Sequence, residues 1–163
     1  MILSELTSLL FQEINFNLPG EQAHELMAPY KREKASSINI PDKNPKQSAV
    51  LMLIYPKNDI PHFTLIQRTA YEGTHGGQIS FPGGKQEAEE SLKETALRET
   101  FEEIGVAPDK IQVLGEITQI YIPPSNFLVS PFVGFVDFEP VFTPEVKEVE
   151  EIIEVKICLI ELE

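Results

Sequence analysis

Tryptophan is absent from this 163-residue chain, and cysteine occurs once, at Cys158. A lone cysteine excludes an intrachain disulfide and fits a reducing, cytoplasmic setting. Basic residues are scarce: 13 Lys and Arg stand against 26 Asp and Glu, a net charge of −13. Their densest grouping, Lys31-Arg32-Glu33-Lys34, is diluted by an acid. Without a basic patch, such a surface repels nucleic acid, which is excluded as a partner. No apolar run approaches the length of a membrane span, so no membrane partner is expected. The opening MILSELTSLLFQEINF has no basic leader and carries two Glu, and it does not read as a signal peptide. No internal repeat or low-complexity tract is present.

What remains is ordinary for a soluble globular protein, with 42% hydrophobic and 24% charged residues. The length suits one domain over 1–163 with a real core. The closing Leu162-Glu163 follows what reads as a strand running into another element, a pattern that fits a trimmed C-terminus as well as a natural one. Residues 2–16 and roughly 20–34 read as two helices separated by Asn17-Leu-Pro-Gly20, and 35–47 as a loop. Ala49 to Tyr55 is a nearly continuous apolar run, the pattern of a strand buried on both faces. Lys57 to Pro61 is a turn, and His62 to Arg68 alternates like a hairpin partner. Further strands are expected at Lys110–Thr118, Ser130–Phe138 and Ile152–Ile157. The fold class is α/β with a mixed sheet.

The most informative stretch is Gly84 to Val106, GKQEAEESLKETALRETFEEIGV. Ser91-Leu92-Lys93-Glu94 is a capping box, so a helix should start just after Ser91. Gly105 suits the left-handed residue past its end. Leu97, Phe101 and Ile104 fall on one face, with Leu92, Ala96 and Thr100 beside it. Glu99 and Glu103 are four apart and Glu102 is three from Glu99, so three carboxylates crowd one turn. Each like-charge pair costs ~0.2–0.5 kcal/mol even when solvated. A hard divalent cation removes that penalty, and Mg²⁺ prefers a few carboxylates, waters and phosphates. The plain alternative is a solvated acidic face. Arg98 favours the metal reading, because it reaches Glu94 and Glu102 at four-residue spacing and Glu90 across the helix start.

Gly84, five residues, Glu90, seven residues, then Arg98-Glu99-x-x-Glu102-Glu103-x-Gly105-apolar resembles the signature of the Nudix hydrolase family. Its members split a diphosphate joined to another moiety. Thr100 and Val106 fill the two apolar slots, Thr100 less well. The resemblance implies an α/β/α sandwich with its core over 48–157, Mg²⁺ or Mn²⁺ as cofactor, and Glu99, Glu103 and Glu102 as metal-binding catalytic residues. It also implies a metal contact from the Gly84 carbonyl. The general base is sought in a later acidic loop, among Glu145, Glu148, Glu150 and Glu151, with Glu148 preferred.

Upstream, Leu65 to Gly84 is similar to the segment preceding this signature in the coenzyme A diphosphatase branch of the family. Arg68, Thr69, Ala70, Gly77 and Phe81-Pro82-Gly83-Gly84 stand in matching places, and His75, Gln78 and Ser80 also fit. Gly73 departs, since the branch usually has Arg there, and Ile66 replaces a usual Thr. The implied partner is a small nucleotide-like substrate, coenzyme A or an acyl-coenzyme A. ADP-ribose, dinucleotides or dNTPs are the alternative substrates, and a non-catalytic nucleotide-binding regulator is the alternative from another class. A homodimer is allowed but not required. Arg68 reads as a phosphate ligand or a surface arginine. His75 suits a backbone hydrogen bond as well as substrate, and Lys85 could offset phosphate charge or sit exposed. Tyr121 to Gly134 also resembles that branch. Pro123-Pro124 makes a stiff turn there, with donors at Ser125 and Asn126, and on physical grounds alone a structural loop leading into a strand is the favoured reading.

Overall fold

The computed structural model describes residues 2–27, 43–70 and 76–157. Gly73, His75, Cys158 and the expected continuation of the second helix to residue 34 lie outside them.

Two helices come first, α1 (Leu3–Phe16) and α2 (Glu21–Met27). Then follow β1 (Lys46–Lys57), β2 (Ile60–Arg68), β3 (Ile79–Ser80), β4 (Gly83–Lys85) and α3 (Leu92–Ile104). The chain continues with β5 (Gln112–Glu116), β6 (Ile120–Ile122), β7 (Phe127–Phe135) and β8 (Val149–Lys156). The β1–β2 hairpin turns at Asn58 and Asp59, both at positive φ, as a two-residue turn requires. β1 runs parallel to β7 and antiparallel to β2 and β4, which makes the sheet mixed.

Alternation along β1 sets the layers. Ala49, Leu51, Leu53 and Tyr55 point to one face and pack with Ala96 and Ile104 of α3. Met52 and Ile54 point to the other face and pack with Leu6, Leu10 and Ile14 of α1. A sheet covered by a helix on each side is the α/β/α sandwich. Leu51, Leu53, Ile54 and Tyr55 have no exposed surface, and each such side chain stabilises the fold by roughly 1.5–3 kcal/mol.

β1 shares one edge between two partners. Its second half pairs with β2 at Ile54–Lys57, and its first half pairs with β4 at Ser48–Val50. Between them, β3 pairs with the far part of β2 at Ile66 and Gln67. Residues 79–85 therefore insert into a fork where β1 and β2 splay apart. β8 covers the opposite edge of β2 from His62 to Arg68.

Several expectations need correction. The strand expected at Ser130–Phe138 is Phe127–Phe135, because its parallel pairing with β1 begins at Phe127↔Lys46. The strand expected at Lys110–Thr118 is shortened to Gln112–Glu116 by a 3-10 turn at Pro108–Lys110. On α3, Phe101 is 50% exposed, and the buried face carries Thr95, Ala96, Thr100, Glu103 and Ile104. The short strands β3, β4 and β6 were not expected.

Candidate active site

The site grows from the start of α3. Ser91 and Glu94 form the expected capping box: Ser91 Oγ accepts from the Glu94 N–H, and the Glu94 carboxylate accepts from Ser91 N at 2.7 Å. Gly105 closes the helix in the left-handed conformation at φ 80°. Glu94 is thereby spent on the cap, and the expected Arg98–Glu94 pair does not form.

Arg98 instead gathers the other acids. Its Nε and Nη2 donate to both oxygens of Glu90 at 3.0 and 2.9 Å. Its Nη1 reaches Glu99 Oε1 at 3.0 Å and Glu102 Oε2 at 2.9 Å, and Nη2 donates to the Lys85 carbonyl at 3.2 Å. The bidentate bond from Arg98 holds the Glu90 carboxyl down to about 2, despite partial burial; the Glu87 N–H and Thr95 hydroxyl add to the effect. Arg98 is in turn held charged, first by Glu90 and then by Glu99 and Glu102.

Along one helical turn the three glutamates differ sharply in exposure. The side chains of Glu102, Glu99 and Glu103 are 54%, 14% and 0% exposed. Glu103 is therefore not part of a solvated acidic face. Its carboxylate lies in the fork, where it accepts from the Gly83 N–H at 2.8 Å and from Arg68 Nη1 at 3.0 Å. Burial pushes the Glu103 carboxyl up to about 7, against the pull of Gly83 and Arg68, and the charges of Glu99 and Glu148 add to the rise. Burial also raises Glu99, with Arg98 opposing and the charges of Glu102 and Glu148 reinforcing.

Gly84 lies directly against this group. A Cβ built there would fall within the Glu99 carboxylate, so glycine is required for the backbone to come this close. The donors meeting here are carboxylates and backbone carbonyls, a hard oxygen set suited to Mg²⁺ or Mn²⁺ and not to a soft metal. Among the described residues these acids do not form a closed ligand cluster. Glu99 and Glu102 are turned to Arg98, and Glu103 to Arg68. Glu99 and Glu103 nevertheless stay close enough to Glu148 to feel its charge. Glu90, Glu99, Glu102, Glu103 and Glu148 outnumber Arg68 and Arg98, and a divalent cation would offset that excess of negative charge.

The acidic loop is tied to the site by backbone bonds. Glu145 N donates to the Glu103 carbonyl at 3.1 Å, and Thr69 N donates to the Glu148 carbonyl at 2.9 Å. Thr69 Oγ1 also donates to the Lys147 carbonyl at 2.9 Å. Glu148 is exposed beside the buried pair.

The remaining expected residues fall as follows. The Arg68 guanidinium bonds Glu103 and the Gly83 carbonyl, at 3.0 and 3.3 Å from Nη1. Lys85 is exposed at the end of β4, its carbonyl held by Arg98. His75 lies outside the described residues. The turn at Pro123–Asn126 is held by its own polar groups: Asn126 Nδ2 donates to the Lys43 carbonyl at 3.1 Å, and its Oδ1 accepts from Tyr121. The sequence carried no sign that the Gly83 N–H and Arg68 would meet Glu103, because these partners are 20 and 35 residues away.

Comparison with known proteins identifies the family and the fold. Residues 45–162 match the NUDIX domain family. The chain is 39% identical over 114 residues to the uncharacterized Nudix hydrolase NudL of Pectobacterium atrosepticum, covering 67% of this chain and 56% of that protein. It is 33% identical over 111 residues to the human mitochondrial coenzyme A diphosphatase NUDT8, covering 66% of this chain and 47% of that one. The chain thus spans about half the length of these curated relatives. Among solved structures, a C. elegans Ap4A hydrolase binary complex superposes with a TM-score of 0.57 at 16% identity, over 68% of this chain and 80% of that chain. The NUDIX domain of Shewanella oneidensis NrtR, in complex with ADP ribose, superposes with a TM-score of 0.55 at 17% identity, over 83% and 82%. These two likenesses establish the fold.

Proposed function

The chain belongs to the Nudix family, and from that premise we propose that it is a divalent-metal-dependent diphosphatase acting on coenzyme A or an acyl-coenzyme A. The products are 3′,5′-ADP and 4′-phosphopantetheine. The observation that carries the reaction class is the meeting of Glu99, Glu103, Glu148 and the Gly84 backbone at the fork between β1 and β2. The substrate assignment rests on the Arg68–Gly84 segment and on the likeness to the human coenzyme A diphosphatase.

Glu99, Glu102, Glu103 and the Gly84 carbonyl would hold the cation. When bound, Mg²⁺ or Mn²⁺ would offset charge on the diphosphate and make a water more acidic. Glu148, exposed and close to Glu99 and Glu103, is the residue placed to act as general base toward a water. Arg98 fixes Glu99 and Glu102 through its anchor on Glu90. Arg68 holds the Glu103 carboxylate in place. Lys85 meets a substrate phosphate from the end of β4, and His75 is the further candidate contact to substrate. Phosphoryl transfer depends mainly on positioning and electrostatics, so no covalent nucleophile is needed. Hydrolysis of ADP-ribose, dinucleotides or dNTPs uses the same machinery with a different moiety beyond the diphosphate.

The test is a hydrolysis panel with Mg²⁺ and with Mn²⁺ over coenzyme A, acyl-coenzyme A, ADP-ribose, NADH and dNTPs. Coenzyme A turnover with 3′,5′-ADP as product supports the assignment. Robust turnover of ADP-ribose or dNTPs alone overturns the substrate and leaves the reaction class. No metal-dependent turnover of any of them points to a binding domain.

A further inference from the structure

The face of the sheet that carries Gly84 continues past α3 as a polar shelf. Pairing registers place Gly84, Ala49 and Ser130 in one row across β4, β1 and β7. Ile120 pairs with Val129, so Gln119 extends this row, and its Nε2 donates to Ser130 Oγ at 2.8 Å. Gln119 Nε2 also reaches Glu116 Oε1 at 3.2 Å, and Glu116 lies in the neighbouring row opposite Phe132. Ser130 is fully buried, whereas Gln119 and Glu116 are exposed. Tyr121 lies two residues beyond Gln119 on the same face, opposite Leu128. Its ring is fixed by a 2.9 Å bond from its hydroxyl to Asn126 Oδ1.

We infer that Gln119 and Tyr121 form the subsite for the nucleobase of the substrate, with Gln119 reading the exocyclic amino edge of an adenine-type base against the Tyr121 ring. This rests on the diphosphatase reading above.

Three arguments carry it. From β4 to β6 the row crosses three interstrand spacings, about 14 Å, a span that a ribosyl diphosphate arm bridges. With both Nε2 hydrogens engaged by Ser130 and Glu116, the amide presents its Oε1 outward. The outward edge is therefore made of acceptors, Gln119 Oε1 and the Glu116 carboxylate, and it selects N–H donors over carbonyl oxygens. A half-buried ring on the same face supplies a stacking surface, which every base can use and which leaves discrimination to the amide.

The test compares matched adenine and hypoxanthine substrates, ADP-ribose and its inosine analogue, in the wild type and in Gln119→Leu with Mg²⁺. The wild type should prefer the adenine form roughly tenfold in KM. Gln119→Leu should erase that preference by raising KM for the adenine form roughly tenfold. Turnover with no base preference, or a preference unchanged in Gln119→Leu, overturns the inference while leaving the diphosphatase reading intact. If neither substrate is turned over, calorimetric binding of ADP against IDP decides in the same way. Tighter ADP binding that is lost in Gln119→Leu supports the subsite, and equal binding of the two overturns it.

Discussion

The Glu103 carboxylate, with no exposed surface, lies 3.0 Å from Arg68 Nη1 and 2.8 Å from the Gly83 N–H. An acid at this depth has two competing tendencies. Desolvation favours its protonated form, while Arg68 and Gly83 favour the ionised one. A carboxyl brought to about 7 by that balance is easily drawn into its charged form by a cation.

Glu103→Gln should keep the shape of this contact while removing the charge. Turnover should fall at least ~10²-fold, as expected for loss of a metal ligand. The melting temperature without metal should change little, because a desolvated charge and its ion pair disappear together. Glu103→Ala should behave differently, costing about 3–5 kcal/mol, because it leaves Arg68 without its buried partner. Thermal melts in EDTA beside initial rates in saturating Mg²⁺ read both. Near-normal turnover in Glu103→Gln would sink the metal assignment.

Arg98 is the common partner of Glu90, Glu99 and Glu102. Arg98→Ala should lower stability by about 1–3 kcal/mol, the cost of leaving charge-assisted acceptors unmade. It should also weaken Mn²⁺ binding, because Glu99 and Glu102 lose the group that positions them. Arg98→Lys should rescue little, since a lysine cannot make the bidentate contact to Glu90. Denaturant unfolding and Mn²⁺ titration check this. Unchanged values for both in Arg98→Ala would show that the pairing is incidental.

The same pair gives a signed pH dependence. Glu90 is held down to about 2 from an ordinary 4.5. A lowered acid adds stability above its unfolded value, and that stability is lost as pH falls through the folded one. The stability gap between wild type and Arg98→Ala should therefore be constant above about pH 5 and shrink between about pH 4.5 and 2. Urea unfolding across that window measures it, and a gap that widens toward acid would contradict the assignment.

Gly84→Ala tests the closeness of backbone and carboxylate. The added methyl would occupy the space of the Glu99 carboxylate, so the side chain must swing away. Activity should fall at least ~10-fold through lost positioning, with a loss of stability under about 2 kcal/mol, because Glu99 sits at the rim of the core. Rates and melts on the purified variant decide.

The proposed coenzyme A preference can be tested at Gly73, which lies outside the described residues. An arginine there should add a charge-assisted contact worth roughly 1.5–3 kcal/mol. Gly73→Arg is expected to lower KM for coenzyme A more than for dephospho-coenzyme A if the 3′-phosphate is the target. Equal effects on both place the contact at the diphosphate.

Local signals made α3 legible in advance. The Ser91–Glu94 capping box and Gly105 fix both its ends within the chain's own neighbourhood. The β1–β2 hairpin was also legible, because the Ala49–Tyr55 run and the Asn58-Asp59 turn are contiguous signals. β3 and β4 were not, since strands of two and three residues carry no periodicity. Their pairing is imposed by the fork they enter. The exposure of Phe101 escaped notice because helical spacing marks a face without saying which half of it the sheet covers. Glu103 was legible as a member of an acidic turn, but its burial was not. Burial depends on Arg68 and Gly83, which reach it only once the sheet has closed.

The division of one β1 edge between β4 and β2 also bears on how the site comes into being. Gly83–Lys85 are hydrogen-bonded to the same strand that carries the most deeply buried side chains. The segment beneath Glu99 and Glu103 therefore has no independent opening that leaves the sheet whole. Amide protons of β4 should exchange with solvent as slowly as those at the centre of β1, and far more slowly than those of the Pro123–Asn126 turn. The chemistry is thus assembled in the same cooperative event as the core, and any lesion that loosens β1 should reach the carboxylates without touching them.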